Sequence, residues 1–333
     1  MAPIEREKKE AMSIKNTFLA PKNDTPLTKT AHRDPVRPSL TVAAPSSNVP
    51  QSTDSRTAAV QWPSQAPALS LRSFDIGKKL GEGSFGRVFL ARHRDSGYIC
   101  ALKMIEKSKI REGSERHIKE EIEIHSNVRH PGLIGFYGWF HDDENIVIVL
   151  EYASGGDFFT IFEREVVFKE PQAAKYIAQV ATALLYLHRK NIMHRDLKVE
   201  NILVGAYGEL KLADFGFSTH CPENSRTTVC GTLDYMAPEM IHSPGEAYDN
   251  TVDLWSLGVL TYELIMGVPP FWDDSTAAVR ERIVHRDMRP FEDDISTEAR
   301  SFICSLLVGN PPCRLPLERV LTHPWIVKNS ELW

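Results

Sequence analysis

Hydrophobic spacing changes period along this 333-residue chain at Gly155-Gly156. Before that point apolar and β-branched residues gather in short runs, Phe74 to Leu80, Arg87 to Arg92, Ile99 to Ile105 and Ile146 to Leu150, which predict strands. One charged stretch among them, Ser114 to Val128, predicts a helix. Beyond the glycines, Ala174, Ile177, Ala178, Ala181, Leu184, Leu185 and Leu187 recur at helical spacing within Pro171 to Arg189, and Val252 to Met266 reads as a second long helix. A chain that separates its strands from its helices in this way is expected to be α+β, with a small, mostly antiparallel lobe carrying one helix and a larger helical lobe. The two join near Glu151 to Gly156, and their crevice is where a ligand could sit.

The expected boundaries are 73–153 for the strand-rich lobe, 154–326 for the helical lobe and 327–333 for a short tail. Residues 1–72 form an extension. Up to about residue 70 it holds nine of the 21 prolines and no glycine, with apolar residues scattered, so it is expected to be disordered. A net charge of -5 gives no bulk attraction to polyanions, so nucleic acid is not an expected direct ligand. Five widely spaced cysteines without a C-x-x-C pair argue against a disulfide framework and a zinc site, and point to a reducing compartment. No stretch of 18 apolar residues and no apolar leader predict neither membrane spanning nor secretion.

Two constellations carry chemistry. Gly81-Glu82-Gly83-Ser84-Phe85-Gly86-Arg87-Val88 is a G-x-G-x-x-G-x-V run, of the kind that lets backbone amides approach phosphates. In a dinucleotide fold the last glycine opens a helix; here Val88-Phe89-Leu90-Ala91 alternates as a strand, and a second strand follows the turn at Ser96-Gly97. That second strand ends in Ala101-Leu102-Lys103, and an inward lysine on a buried strand needs an anion. Phosphate oxygens would serve, and Glu121 of the charged helix is the best protein partner, with Glu120 and Glu123 facing solvent.

The second constellation is His194-Arg195-Asp196-Leu197-Lys198-Val199-Glu200-Asn201, followed 13 residues later by Asp214-Phe215-Gly216. Asp196 can orient an attacking hydroxyl and accept its proton, and Lys198 can neutralise a transferring phosphoryl group. Asn201 and Asp214 supply oxygen ligands for Mg²⁺.

From Phe74 to Ile326 these residues resemble the eukaryotic protein kinase family, including Ala237-Pro238-Glu239. The resemblance implies the bilobal kinase fold, ATP and Mg²⁺ as cofactors, and Lys103, Glu121, Asp196 and Lys198 as catalytic residues. By the same likeness ATP would be held by Gly81, Glu82, Gly83, Gly86, Val88, Ala101, Lys103, Leu150, Glu151, Ala153, Glu200, Asn201, Leu203 and Asp214. It further implies that Glu239 pairs with Arg314 and that Asp253 anchors the catalytic loop. Val199 stands where many members have proline, a position that holds no ligand. Lys198-x-Glu200 and Thr232 resemble the serine/threonine branch.

Within that branch the chain resembles the aurora family in Gly208 to Gly216, Arg226 to Tyr235 and Val252 to Leu260, in Glu123-Ile124 and Arg129-His130-Pro131, and in Phe136-Tyr137-Gly138 and Phe140-His141-Asp142. This likeness makes Thr228 the activation-loop phosphosite, its phosphate held by Arg195 and Arg226. Glu120 stands where aurora kinases present an arginine to that phosphate, so either the loop is held less tightly or Lys119 substitutes. Asp157, Glu200 and Glu263 match acids that read arginines before a target Ser or Thr, and Thr232 also belongs to substrate recognition. The family implies a chromosomal-passenger or spindle-assembly type activator, and a nuclear and cytoplasmic protein found on kinetochores and spindles in mitosis. Gly138 resembles spindle-type members without fixing the subtype. The competing readings are a kinase of another cell-cycle branch and a pseudokinase scaffold, the latter favoured only by loss of Lys103, Asp196 or Asp214.

Overall fold

The computed structural model describes residues 69–83, 86–110, 115–220, 231–242 and 247–330. Thr228 and Arg226 lie outside the described residues, as does the N-terminal extension up to residue 68. The first lobe is an antiparallel five-stranded sheet of β1 (Phe74–Gly83), β2 (Gly86–His93), β3 (Ile99–Glu106), β4 (Phe136–His141) and β5 (Asn145–Glu151), in the order β1-β2-β3-β5-β4. Four of these strands coincide with the expected runs. The fifth, β4, escapes a simple period-2 reading because its register against β5 shifts between Phe136 and Gly138. Gly86 opens β2 where a Cβ would lie 2.0 Å from the Met104 carbonyl oxygen, so the hairpin approaches β3 more closely than any side chain permits.

Helix α1 (Glu115–Ser126) packs Ile118 beneath the sheet with Ile105 and Ile148, while Ile124 joins the core of the other lobe. One helix therefore touches both bodies. The second lobe is helical: α2 (Phe158–Glu165), α3 (Glu170–Arg189), α4 (Pro238–His242), α5 (Thr251–Met266), α6 (Thr276–His285), α7 (Thr297–Leu306), α8 (Leu317–Val320) and α9 (Pro324–Ser330). Helix α3 starts with Pro171 in its first turn, where the missing N–H costs nothing, and buries Ala174, Ile177, Ala181, Leu184 and Leu187 on one face. Helix α5 is apolar on all sides and is correspondingly enclosed from Val252 to Met266. It stops at Gly267, whose φ of 80° and bond to the Glu263 carbonyl form a left-handed cap.

Short strands complete the second lobe. β6 (Gly156–Asp157) pairs with β8 (Ile202–Val204), which pairs with β9 (Leu210–Leu212), and β7 (Ile192–Met193) pairs with β10 (Thr219–His220). These ladders fix the loops that follow β7 and β9, where the candidate residues stand. Among the described residues no helix is long and apolar enough to cross a membrane.

Candidate active site

Lys103 lies near the middle of the sheet, with Val88 of β2 and Ile148 of β5 as its cross-strand neighbours. Its Nζ donates to Glu121 Oε1 at 2.6 Å and to Asp214 Oδ1 at 3.0 Å, joining β3, α1 and the segment after β9. Burial opposes the ammonium charge, but the two carboxylates outweigh it and raise the Lys103 pKa above the ordinary lysine value. The Lys103 charge holds the Asp214 carboxyl down at about 2, against the opposing effect of burial. Both groups are thus charged at neutral pH. Helix phase selects Glu121: Ile118, Glu121 and Ile124 share the inward face, while Glu120 turns to Arg116 at 3.1 Å.

The loop after β7 is held from beneath. Asp253, fully buried on α5, accepts from the His194 N–H at 2.9 Å, the Arg195 N–H at 2.8 Å and His188 Nε2 at 2.8 Å. Burial by itself would raise its pKa, yet the hydrogen bond and charge of His188 bring it below the usual carboxylate value. Arg195 and Asp214 both adopt left-handed backbone conformations, with φ of 65° and 63°, which non-glycine residues keep only when their surroundings enforce them. The Arg195 side chain donates to the Phe217 carbonyl at 2.6 Å and the Tyr248 hydroxyl at 3.1 Å, tying this loop to the segment after Asp214.

Asp196 is the centre of the polar cluster. Its Oδ2 accepts from Asn201 Nδ2 at 2.7 Å and lies 2.9 Å from Lys198 Nζ; its Oδ1 accepts from the Thr232 N–H and hydroxyl, each at 3.1 Å. Lys198 Nζ also reaches the Thr232 hydroxyl at 2.6 Å. Thr232 can come this close because Gly231, at φ 100°, passes where a Cβ would sit 2.6 Å from the Arg195 carbonyl oxygen. Asn201 spends its amide hydrogens on the Asp196 carbonyl and carboxylate, which leaves its Oδ1 as an acceptor. Hydrogen bonds to Asp214 from Lys103 and Gly216 both end on Oδ1. Two such oxygen donors fit a cation that keeps most of its water and phosphate ligands, the habit of Mg²⁺. No group of three or more His, Cys, Asp or Glu residues able to hold a metal occurs among the described residues.

The remaining candidate residues are spread over the first sheet, the lobe junction and the second lobe. Gly81, Glu82, Gly83, Gly86 and Val88 form the β1–β2 hairpin, Ala101 faces Leu150 across β3 and β5, Glu151 ends β5, and buried Ala153 follows in the lobe junction. Leu203 lies on β8 between Asp157 and Lys211. Asp157 caps α2 by accepting the Phe159 N–H at 3.0 Å, and Glu200 stands one residue before Asn201. Glu263 is 1% exposed and accepts the Tyr235 hydroxyl, whose pKa burial and the neighbouring Glu263 and Glu200 charges raise. Glu239 accepts two parallel hydrogen bonds from the Arg314 guanidinium, both at 2.6 Å.

Sequence reasoning missed His188, Tyr235, Tyr248 and Lys211. A buried-run lysine in Leu210-Lys211-Leu212 was a readable sign; a histidine 65 residues from its carboxylate gave none.

Residues 74–326 match the family described as protein kinase domain. Aurora kinase A-A of Xenopus laevis is 49% identical over 263 residues, 79% of this chain and 64% of that protein, so the chain spans less than two thirds of this relative's length. Aurora kinase of Schizosaccharomyces pombe is 48% identical over 78% of this chain and 73% of its own length, and aurora kinase B of Danio rerio 46% over 82% and 87%. With the domain match covering most of the sequence and two such relatives aligned along more than two thirds of their own length, the chain belongs to the aurora family of serine/threonine protein kinases.

Proposed function

We propose that this chain transfers the γ-phosphate of ATP to serine or threonine hydroxyls of other proteins. The observation that carries the reading is the convergence of Lys103, Glu121 and Asp214 from three separate segments beside the Asp196–Lys198–Asn201 cluster. Lys103, kept charged by two carboxylates, would orient the inner phosphates of ATP under the β1–β2 hairpin. Asp196 would hold the acceptor hydroxyl and take its proton, and Lys198, already at the Thr232 hydroxyl, would offset charge on the phosphoryl group in transit. A bound Mg²⁺ would neutralise the phosphates, with Asn201 and Asp214 as its protein ligands. The site would supply positioning and electrostatics rather than a covalent intermediate.

The family resemblance supports the finer parts of the proposal. Thr228 would be the activating phosphosite, its phosphate drawn to Arg195 and Arg226, with Glu120 weakening that pocket. Substrates would carry arginine two or three residues before the hydroxyl, read by Asp157, Glu200 and Glu263. The buried Glu263 would take part only by exchanging the Tyr235 hydroxyl for a guanidinium. Chromosomal, kinetochore and spindle proteins in mitosis would be the targets, and a chromosomal-passenger or spindle-assembly type partner would act as activator. The test is phosphate transfer from ATP to histone-like peptides by wild type and Asp214→Asn. Transfer by wild type and its loss in the variant are expected; equal rates would defeat the proposal.

A further inference from the structure

One ion pair outside the proposed phosphate site, its lysine buried and its carboxylate partly exposed, ties together three segments that lie far apart in sequence. Lys211, in the middle of β9, is 7% exposed. Its Nζ donates to the Pro131 carbonyl at 3.0 Å and lies 3.0 Å from Glu151 Oε1, with Glu209 Oε1 more distant at 3.8 Å. Glu151 Oε2 in turn accepts the Gly135 N–H at 2.9 Å, and the Glu151 N–H donates to the Gly135 carbonyl at 2.8 Å.

The stretch from Pro131 to Gly135 is therefore gripped at both ends. Its middle is stitched to β9 as well, by the Leu212 N–H on the Gly132 carbonyl and the Ile134 N–H on the Leu212 carbonyl, each at 2.9 Å. Glu151 closes β5 where the two lobes join, and two residues beyond Leu212 stands Asp214. An ammonium group flanked in sequence by the buried Leu210 and Leu212 is costly unless anions and carbonyls surround it. That demand fixes the distance between the lobe junction and the strand that delivers Asp214.

We infer that Lys211 is a positioning residue for the nucleotide: through Glu151 it sets the lobe junction against β9, so that the two ends of ATP are met together. Glu151 would face the base end and Asp214 the phosphates, and Lys211 touches neither the hydroxyl acceptor nor the phosphates. The inference rests on the kinase reading above. A nucleotide-specific effect is its signature, because the Asp196–Lys198–Thr232 cluster shares no bond with Lys211 among the described residues.

The test is steady-state kinetics on the full chain with Lys211→Met, Glu151→Gln and, as a control, Glu209→Gln, alongside calorimetric binding of ADP. Lys211→Met and Glu151→Gln are each expected to raise KM for ATP and Kd for ADP about fivefold, with KM for peptide unchanged. The double variant should be no worse than the worse single one, because both remove the same pair. Glu151→Gln keeps the side-chain shape and an acceptor for Gly135, so it carries the test if Lys211→Met does not fold. A lowered Tm with unchanged KM for ATP and Kd for ADP would overturn the inference, as would an equal shift in Glu209→Gln. Wild type that neither transfers phosphate nor binds ADP would overturn the kinase reading together with this inference, whereas an active wild type with silent variants overturns this inference alone.

Discussion

Asp253→Asn tests whether the loop bearing Asp196 is held by the helix beneath it. The carboxylate is fully buried and accepts three hydrogen bonds, two from consecutive backbone amides and one from His188. Asparagine has the same shape but only one acceptor oxygen. If that oxygen keeps His188 and the His194 N–H, the amide nitrogen meets the Arg195 N–H, donor against donor. One charge-assisted bond is lost and a buried N–H is stranded, about 3 kcal/mol in total. The Arg195 backbone, left-handed at φ 65°, loses the contact that enforces it and can relax toward an ordinary conformation, carrying Asp196 with it. Expressed in the transition state, about 3 kcal/mol lowers kcat about a hundredfold. KM for ATP should change far less, because the Lys103 ion pairs lie on other elements. The pH dependence has a definite sign. A carboxyl whose folded pKa is below its ordinary 3.8 contributes stability above that value and loses it as pH falls through the folded value, so the variant should be less stable than wild type above about pH 4, and the gap should close as pH falls below it. The assays are peptide phosphorylation kinetics and thermal unfolding across pH. A folded variant with kcat within about threefold of wild type would refute the reasoning, since a stranded buried amide should not be so cheap.

Three further outcomes are expected. Lys103→Met leaves Glu121 and Asp214 facing each other without the intervening cation, so phosphate transfer should fall at least about a hundredfold in a γ-phosphate assay, with Glu121→Gln falling less because Asp214 keeps its partner. Gly86→Ala drives a Cβ into the Met104 carbonyl at 2.0 Å; the hairpin should be destabilised by about 1–3 kcal/mol, read as a lower urea midpoint. His125, buried on α1 and donating Nε2–H to the Ile134 carbonyl at 2.7 Å, has its pKa pushed down to about 4, chiefly by burial. A base with a depressed folded pKa binds fewer protons when folded, so its stability contribution is complete above 6.5 and fades as pH falls toward 4; His125→Gln should flatten wild-type stability across that window in pH-dependent unfolding.

What the sequence made legible depended on distance along the chain. Helix phase was enough to choose Glu121 over Glu120, because residues three apart share a face and Ile118 and Ile124 mark which face is buried. The order of Asp196, Lys198, Asn201 and Asp214 pointed to phosphate chemistry because each residue type serves one part of it. Neither local rule reaches His188, whose partner Asp253 is 65 residues away, or Tyr235, whose hydroxyl links Glu263 to the Val199 N–H. The strand β4 was hidden by its own register shift at Gly138.

Two lysines on strands, one buried and one nearly so, share a local pattern and differ in their partners. Lys103 and Lys211 both stand in apolar strand runs, Ala-Leu-Lys-Met and Leu-Lys-Leu, and both need an anion for the same energetic reason. Local pattern cannot separate them. Lys103 meets one carboxylate from α1 and another from Asp214, while Lys211 meets the Glu151 carboxylate and the Pro131 carbonyl. The same burial cost is therefore offset by the proposed catalytic arrangement in one case and by the proposed brace in the other. The difference lies wholly in which segments the fold brings opposite each strand.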